Sequence, residues 1–207
     1  MASSAAAETD RGYDARMQNA ADITRLIEQQ PDMMRLLAAV ERLRLPDAWI
    51  GAGFVRNAVW DALHGRRIDC TSLGDVDVVF FDPADARPER EAVIEAELWA
   101  ACPDAPPWSA RNQARMHRQN GDPPYRDTED ALRHWPETAT AVAVRSARGG
   151  SGVELIAPHG VADLLNLVVR PTPAFMTAKI EIYRCRVHSK NWLARSPRLV
   201  TLGLDGD

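Results

Sequence analysis

Asp75 and Asp77 alternate with Val76 and Val78 at the start of a run of β-branched and aromatic residues that ends at Phe81. Such a run favours a strand, in which alternate side chains share a face. The two carboxylates then stand together with their α-carbons ~6.5–7 Å apart, while the valines point into a core. Like charges so placed repel and resist desolvation. A divalent cation relieves both problems, and Mg²⁺ typically takes one or two carboxylates and completes its shell with phosphate oxygens and water. The anion half lies upstream, in Trp-Ile-Gly-Ala-Gly-Phe-Val-Arg-Asn at 49–57. Gly51 and Gly53 follow an apolar, strand-like run and admit a ligand close to the backbone. The helix predicted next, with Val55, Val59 and Leu63 at helical spacing and Gly65 as its stop, presents free N–H groups and a positive dipole end to an anion. Each half has an ordinary alternative, a solvated strand end or a common glycine turn. Glycines, helix and paired acids in that order are more specific than either.

Elements on both sides must hold these residues. Residues 1–15 are small and polar and read as a loose tail. Asp22 to Leu43 carries apolar residues at helical spacing, with Pro31 opening a second helix. Leu45-Pro46-Asp47 turns into a strand over Ala48–Ala52. After a loop at 83–88, Glu89–Ala101 reads as a helix that Pro103–Pro107 ends. Trp108 to Met116 reads as a short strand and turn. The polar stretch 112–126, with Arg115, His117, Arg118, Asn120, Tyr125 and Arg126, reads as a surface loop; its alternative is a surface that receives an acceptor or a base. Thr128 is placed as the cap of a helix running to about Trp135. Thr138–Arg145 and Val153–Ala157 read as a hairpin around a flexible turn. Phe175 to Trp192 reads as a helix with one apolar face, and the basic residues Lys179, Arg184, Arg186, Lys190 and Arg195 read as solvated helix charge, steering of an anionic substrate being the alternative.

At 207 residues the chain suits one domain with a short appendage. With 25 basic against 29 acidic residues it is no general nucleic-acid binder, though a local basic patch remains compatible with that balance. Cys70, Cys102 and Cys185 show neither zinc spacing nor a disulfide framework, which points to a reducing cytoplasm. No run reaches membrane-spanning length, so no membrane partner is expected. The five histidines form no ligand pair, and neither a Gly-x-Ser-x-Gly elbow nor a Gly-x-x-x-x-Gly-Lys-Ser/Thr loop is present. Asp61 and His64 have no partner visible in the sequence.

Ala-Gly-Phe-Val-Arg-Asn at 52–57, Gly65 and Asp-Val-Asp at 75–77 resemble the head-domain signature of the DNA polymerase β-like nucleotidyltransferases. The form is that of tRNA CCA-adding enzymes and bacterial poly(A) polymerases, Gly-Gly-x-Val-Arg-Asp followed by Asp-x-Asp. Segments 112–117, 138–145 and 170–173 resemble a bacterial family of stand-alone nucleotidyltransferase-like proteins, and the likeness covers about residues 32–195. Two positions depart from the pattern: Ala52 stands where many relatives have Gly or Ser, and Asn57 where the tRNA enzymes have Asp.

The resemblance implies an α/β (α+β) fold of polymerase β-like type, a small mixed sheet flanked by helices. It implies a single domain over 16–207, with 172–207 as a helical C-terminal extension. It implies transfer of a nucleoside monophosphate from an NTP to an acceptor hydroxyl, with one or two Mg²⁺ on Asp75 and Asp77. Glu154, an acid between Val153 and Leu155, fits the slot of a third carboxylate on a neighbouring strand; its ordinary alternative is a strand-end acid facing water. Gly51 and Gly53 would hold the triphosphate. Arg56 would pair with it or with a carboxylate of the next strand, and Arg170 would face the site. Pro158–Leu165 resembles a turn of the tRNA enzymes, with Asp163 as a brace. The alternatives from other classes are a nucleotide- or phosphate-binding module without chemistry, and the nucleotidyltransferase half of a toxin–antitoxin pair. The enzyme reading requires Asp75, Asp77 and Glu154 to converge beside the Gly51–Gly53 bend.

Overall fold

The computed structural model describes residues 17–204 apart from 73, 148, 150 and 151. The N-terminal tail assigned to 1–15 and part of the 146–152 turn lie outside them. Two helices come first, α1 (Ala20–Glu28) and α2 (Pro31–Arg42). Asn19 caps α1 in a reciprocal capping box with Asp22, and Pro31 opens α2 where its missing N–H costs nothing. Then follow β1 (Trp49–Gly51), α3 (Gly53–Leu63), β2 (Val76–Phe80), α4 (Pro88–Ala101) and β3 (Trp108–Asn112). The chain continues through α5 (Gln113–Asn120), α6 (Thr128–Arg133), β4 (Ala143–Ser146), β5 (Val153–Ile156) and α7 (Ala162–Leu165). It closes with β6 (Val168–Val169), α8 (Ile180–Lys190), α9 (Trp192–Arg195) and β7 (Val200–Thr201).

The main sheet has the strand order β3-β2-β1-β4-β5 and is antiparallel except for the β2–β3 pair. Its alternation decides everything downstream. Ile50, Val76, Val78, Phe80 and Val144 point to one face, where they pack with Phe54, Val55, Val59 of α3 and Leu36, Leu37, Val40 of α2. Full burial of each such side chain contributes about 1.5–3 kcal/mol. Trp49, Val79 and Ala143 point to the other face, under Leu132 and Trp135 from α6 and its end. Asp77, two residues before Val79, therefore belongs to this second face, at the edge that α6 leaves uncovered.

Several boundaries differ from the sequence reading for local reasons. The stretch after Asn112 is not a loop: the Asn112 side chain accepts from Ala114 N–H, and α5 runs to a left-handed Gly121. Asp127, not Thr128, caps α6, while the Thr128 hydroxyl donates to the Asp47 carbonyl. The strand at 138–145 starts only at Ala143, because the Glu137 carbonyl accepts the N–H groups of Thr140 and Ala141 and folds the segment into a turn. The C-terminal extension is not wholly helical: β7 returns to pair in parallel with β6. Among the described residues no helix is long and apolar enough to cross a membrane.

Candidate active site

β1 and β2 are paired so that Gly51 lies directly opposite Asp77. The glycine turn and the acid pair are thus neighbours by register. Gly51 is forced by space: a Cβ there would come within 3.1 Å of the Trp135 ring and 3.2 Å of the Val142 carbonyl. Ala52 makes the turn at φ +51°, ψ −121°, a conformation L-residues rarely adopt, anchored by its N–H to the Val142 carbonyl at 3.1 Å. Its side chain cannot cap the helix, so the first turn of α3 opens with no side-chain cap and no acidic residue. That end is left free for an anion.

Asp75 precedes β2 and is exposed; Asp77 is half-buried within it. Burial, then repulsion from Asp75, pushes the Asp77 carboxyl up to about 6, against the pull of Arg56, a Ser109 hydrogen bond and Lys190. Two hard oxygen donors, one held against its preference for ionisation, form a set that a divalent cation fits, since its charge would favour both carboxylates.

Arg56 is buried, and its Nη1 donates to Thr140 Oγ1 at 2.9 Å. Nε and Nη2 donate to Asn57 Oδ1 at 3.2 and 3.0 Å, and the guanidinium lies 4.6 Å from the Trp192 ring centre. Burial lowers its pKa to about 10, with Glu137 as the main opposing influence, so it stays charged at neutral pH. Its hydrogen bonds go to neutral groups rather than to a carboxylate of β2. Asn57 meets the guanidinium with a neutral amide oxygen, so no carboxylate among the described residues is in direct contact with it.

Two cavities meet at Ala52, Asp75 and Asp77. The first, about 240 Å³, is lined with Gly53, Arg56, Asn57, Arg186, Lys190 and Arg195 and is strongly basic. The second, about 470 Å³, runs between α8 and the end of α5 with the segment after α6, past Asn120, His134, Trp135, Thr140, Phe175 and Lys179. Arg186 and Lys190 wall both. The sequence reading took these for solvated helix charge. Periodicity along α8 gives no sign that its polar side faces the acids of β2; the 134-residue separation of Asp61 and Arg195, which pair at 2.5 Å, makes the same point. Asp61 also pairs with Arg66 at 2.7 Å, and the His64 ring lies 2.7 Å from the Trp60 carbonyl, which accounts for both residues structurally.

Glu154 and Arg170 are not brought to the site. Glu154 sits on β5, with β4 and β1 between it and β2, a lateral separation of ~14 Å at about 4.8 Å per strand. Its carboxylate accepts from Arg145 Nη2 at 2.6 Å, and that guanidinium stacks on Trp49. An acid between two apolar residues fits any edge strand with a cross-strand arginine, so the pattern alone could not place it. Arg170 pairs with Asp163 at 2.8 Å and is absent from the lining of either cavity. Asp163 also accepts from Thr138 Oγ1 at 2.7 Å and ties this corner together, while α7 begins with no side-chain cap. Among the described residues no three His, Cys, Asp or Glu side chains gather as a metal site. The convergence of three acids required above is therefore not met; two of the three stand at the bend.

A family profile described as nucleotidyltransferase matches residues 38–201. The chain belongs to that family. This nucleotidyltransferase is also similar, at 33% identity and TM-score 0.80, to an NMR structure described as revealing a CCA-adding enzyme head domain, over 91% of this chain and 97% of that one. It resembles the Thermotoga maritima CCA-adding enzyme complexed with tRNA in fold, at 16% identity and TM-score 0.53, over 89% of this chain and 42% of that one. A structure of a tRNA-processing enzyme complex gives 17% identity and TM-score 0.51, over 82% and 44%. The nucleotidyltransferase thus spans less than half the length of these two larger enzymes. No curated protein matches it. The family match over residues 38–201 stands although the three acids do not converge.

Proposed function

We propose that this nucleotidyltransferase moves a nucleoside monophosphate from an NTP to an acceptor hydroxyl with the help of Mg²⁺. The observation that carries the reading is the pairing of Gly51 with Asp77, which sets the acid pair against the open end of α3. Asp75 and Asp77 would hold one or two Mg²⁺, which would neutralise phosphate charge and favour ionisation of the acceptor hydroxyl. The Gly51–Gly53 turn lets the triphosphate lie against the backbone and α3, with Arg56, Arg186 and Lys190 supplying charge in the basic cavity. Trp135 and α6 cover the sheet beside the acids and keep water from that flank. The larger cavity takes the nucleoside and the acceptor. Cytoplasmic residence belongs to the same reading, in keeping with three free cysteines.

The test is Mg²⁺-dependent release of pyrophosphate from each of the four NTPs across a panel of hydroxyl acceptors. Loss of that activity in Asp75→Asn plus Asp77→Asn is the expected result, and activity that survives the double change would remove the two residues from their role. One observation favours a second reading, a nucleotide-binding module without chemistry: Glu154 stands away from the acid pair. Calorimetric NTP binding with no turnover on any acceptor would select it.

A further inference from the structure

Glu137 lies in the turn before β4 and is fully buried. Its Oε1 accepts from Arg186 Nε at 2.8 Å, and its Oε2 is buried with no hydrogen-bond partner. Its carbonyl accepts Thr140 N–H at 3.1 Å and Ala141 N–H at 3.0 Å. That turn delivers Thr140 Oγ1 to Arg56 Nη1. Glu137 also forms an isolated bridge with Pro171, at the start of the segment that leads to α8. One residue therefore reaches Arg186 through its side chain and Arg56 through its backbone. Burying a carboxylate is expensive, and leaving one oxygen bare adds to the cost. A stabilising role alone does not explain such an arrangement, because a neutral residue of similar volume would fill the space more cheaply. Glu137 is not in the lining of either cavity, so it does not touch a ligand there.

We propose that Glu137 is a positioning residue that fixes Arg186 of α8 and Arg56 of α3 as the two arms of a preformed polyphosphate clamp. This rests on the phosphate-binding reading of the basic cavity. An orientation fixed before binding spares the ligand the cost of ordering two long side chains. The proposal has a distinctive sign. Removing an acid from behind a basic cavity raises the cavity's attraction for anions, so a mere counter-charge predicts tighter binding in Glu137→Gln. A positioning residue predicts weaker binding.

The experiment is calorimetric titration of the full chain with inorganic tripolyphosphate at physiological salt. Wild type is expected to bind, with about tenfold weakening in Glu137→Gln, which corresponds to about 1.4 kcal/mol. Thr140→Val, which removes the Nη1 tether of Arg56 without disturbing the buried acid, is expected to weaken binding about threefold. In an Arg186→Gln background, Glu137→Gln is expected to cost no more than the Thr140→Val change, because the side-chain arm is already gone. Should Glu137→Gln alone fail to fold, the Glu137→Gln/Arg186→Gln pair, which buries no charge, and Thr140→Val decide the matter. Binding by Glu137→Gln as tight as wild type or tighter, or by Thr140→Val equal to wild type, overturns the clamp while the phosphate reading stands. No tripolyphosphate binding by wild type overturns the phosphate reading and the clamp with it.

Discussion

Ala52 and Asp77 each occupy a state their chemistry resists, and both lie where the ligand would sit. Ala52 holds φ +51°, a region that costs a non-glycine residue about 1–3 kcal/mol. Ala52→Gly relieves that strain against a smaller entropic penalty, so a net gain of about 1 kcal/mol is expected, read as a rise of about 2–4 °C in Tm. Gly51→Ala should do the reverse, by about 1–3 kcal/mol, since its methyl would press on the Val142 carbonyl, which cannot rotate away. That Ala52 departs from the Gly or Ser of the signature it resembles was legible in the sequence; the strain at that position was not, because backbone angles are set by the Val142 contact. Asp77 gives a pH signature. Its folded pKa of about 6 exceeds the unfolded value of ~3.9, so it takes up a proton on folding between those values. Its contribution to stability therefore falls as pH rises from about 4 through about 6. Metal-free Asp77→Asn should melt higher than wild type at pH 8 and equal to it below pH 4, as thermal denaturation at the two pH values would show. Added Mg²⁺ should close the gap at pH 8 by stabilising wild type alone.

At the scale of elements, the unit β1–turn–α3–β2 was readable because everything it needs is consecutive. Alternation gave the strand faces, helical spacing gave α3, and Gly51, Gly53, Asp75 and Asp77 fell on the same edge once β1 and β2 paired. What could not be read was any contact made across the fold. Arg186 and Lys190 of α8 face the acids only because α8 docks there, with the Tyr183 hydroxyl donating to the Leu202 carbonyl at 2.6 Å and lying 3.1 Å from that of Val169. Glu154 failed for the mirror-image reason: a local pattern of acid between apolar residues says nothing about which strand lies alongside. If α8 forms the cationic wall, Arg186→Ala and Lys190→Ala should each weaken NTP binding by roughly ten- to a hundredfold, as expected for loss of a charged hydrogen bond. Arg186→Ala, which strips the buried Glu137 carboxylate of its ion-pair partner, should lower Tm by more than Lys190→Ala does. Equal NTP affinity in both alanine variants would return α8 to a purely structural role.

For the whole molecule, charge is near balance, yet the basic cavity concentrates Arg56, Arg186, Lys190 and Arg195 beside two acids. Composition averages that contrast away, so the near-neutral total hides the site. The fold class was legible through the resemblance carried by residues 52–57, Gly65 and 75–77, and the solved head-domain structure shares it. The C-terminal strand β7 was not, since two residues carry too little pattern to register as a strand. A ligand that bridges head and C-terminal extension should stabilise both as one unit. Mg²⁺ with an NTP should raise Tm more than either alone, by mass action on the native state.

The central claim is that Asp75 and Asp77, held against the glycine turn, support nucleotidyl transfer. The most direct measurement is pyrophosphate released from NTPs with Mg²⁺ by wild type and by the Asp75→Asn, Asp77→Asn double variant, both confirmed as folded. The account predicts release by wild type and its loss, by at least a hundredfold, in the variant. Equal release by the two proteins would contradict it.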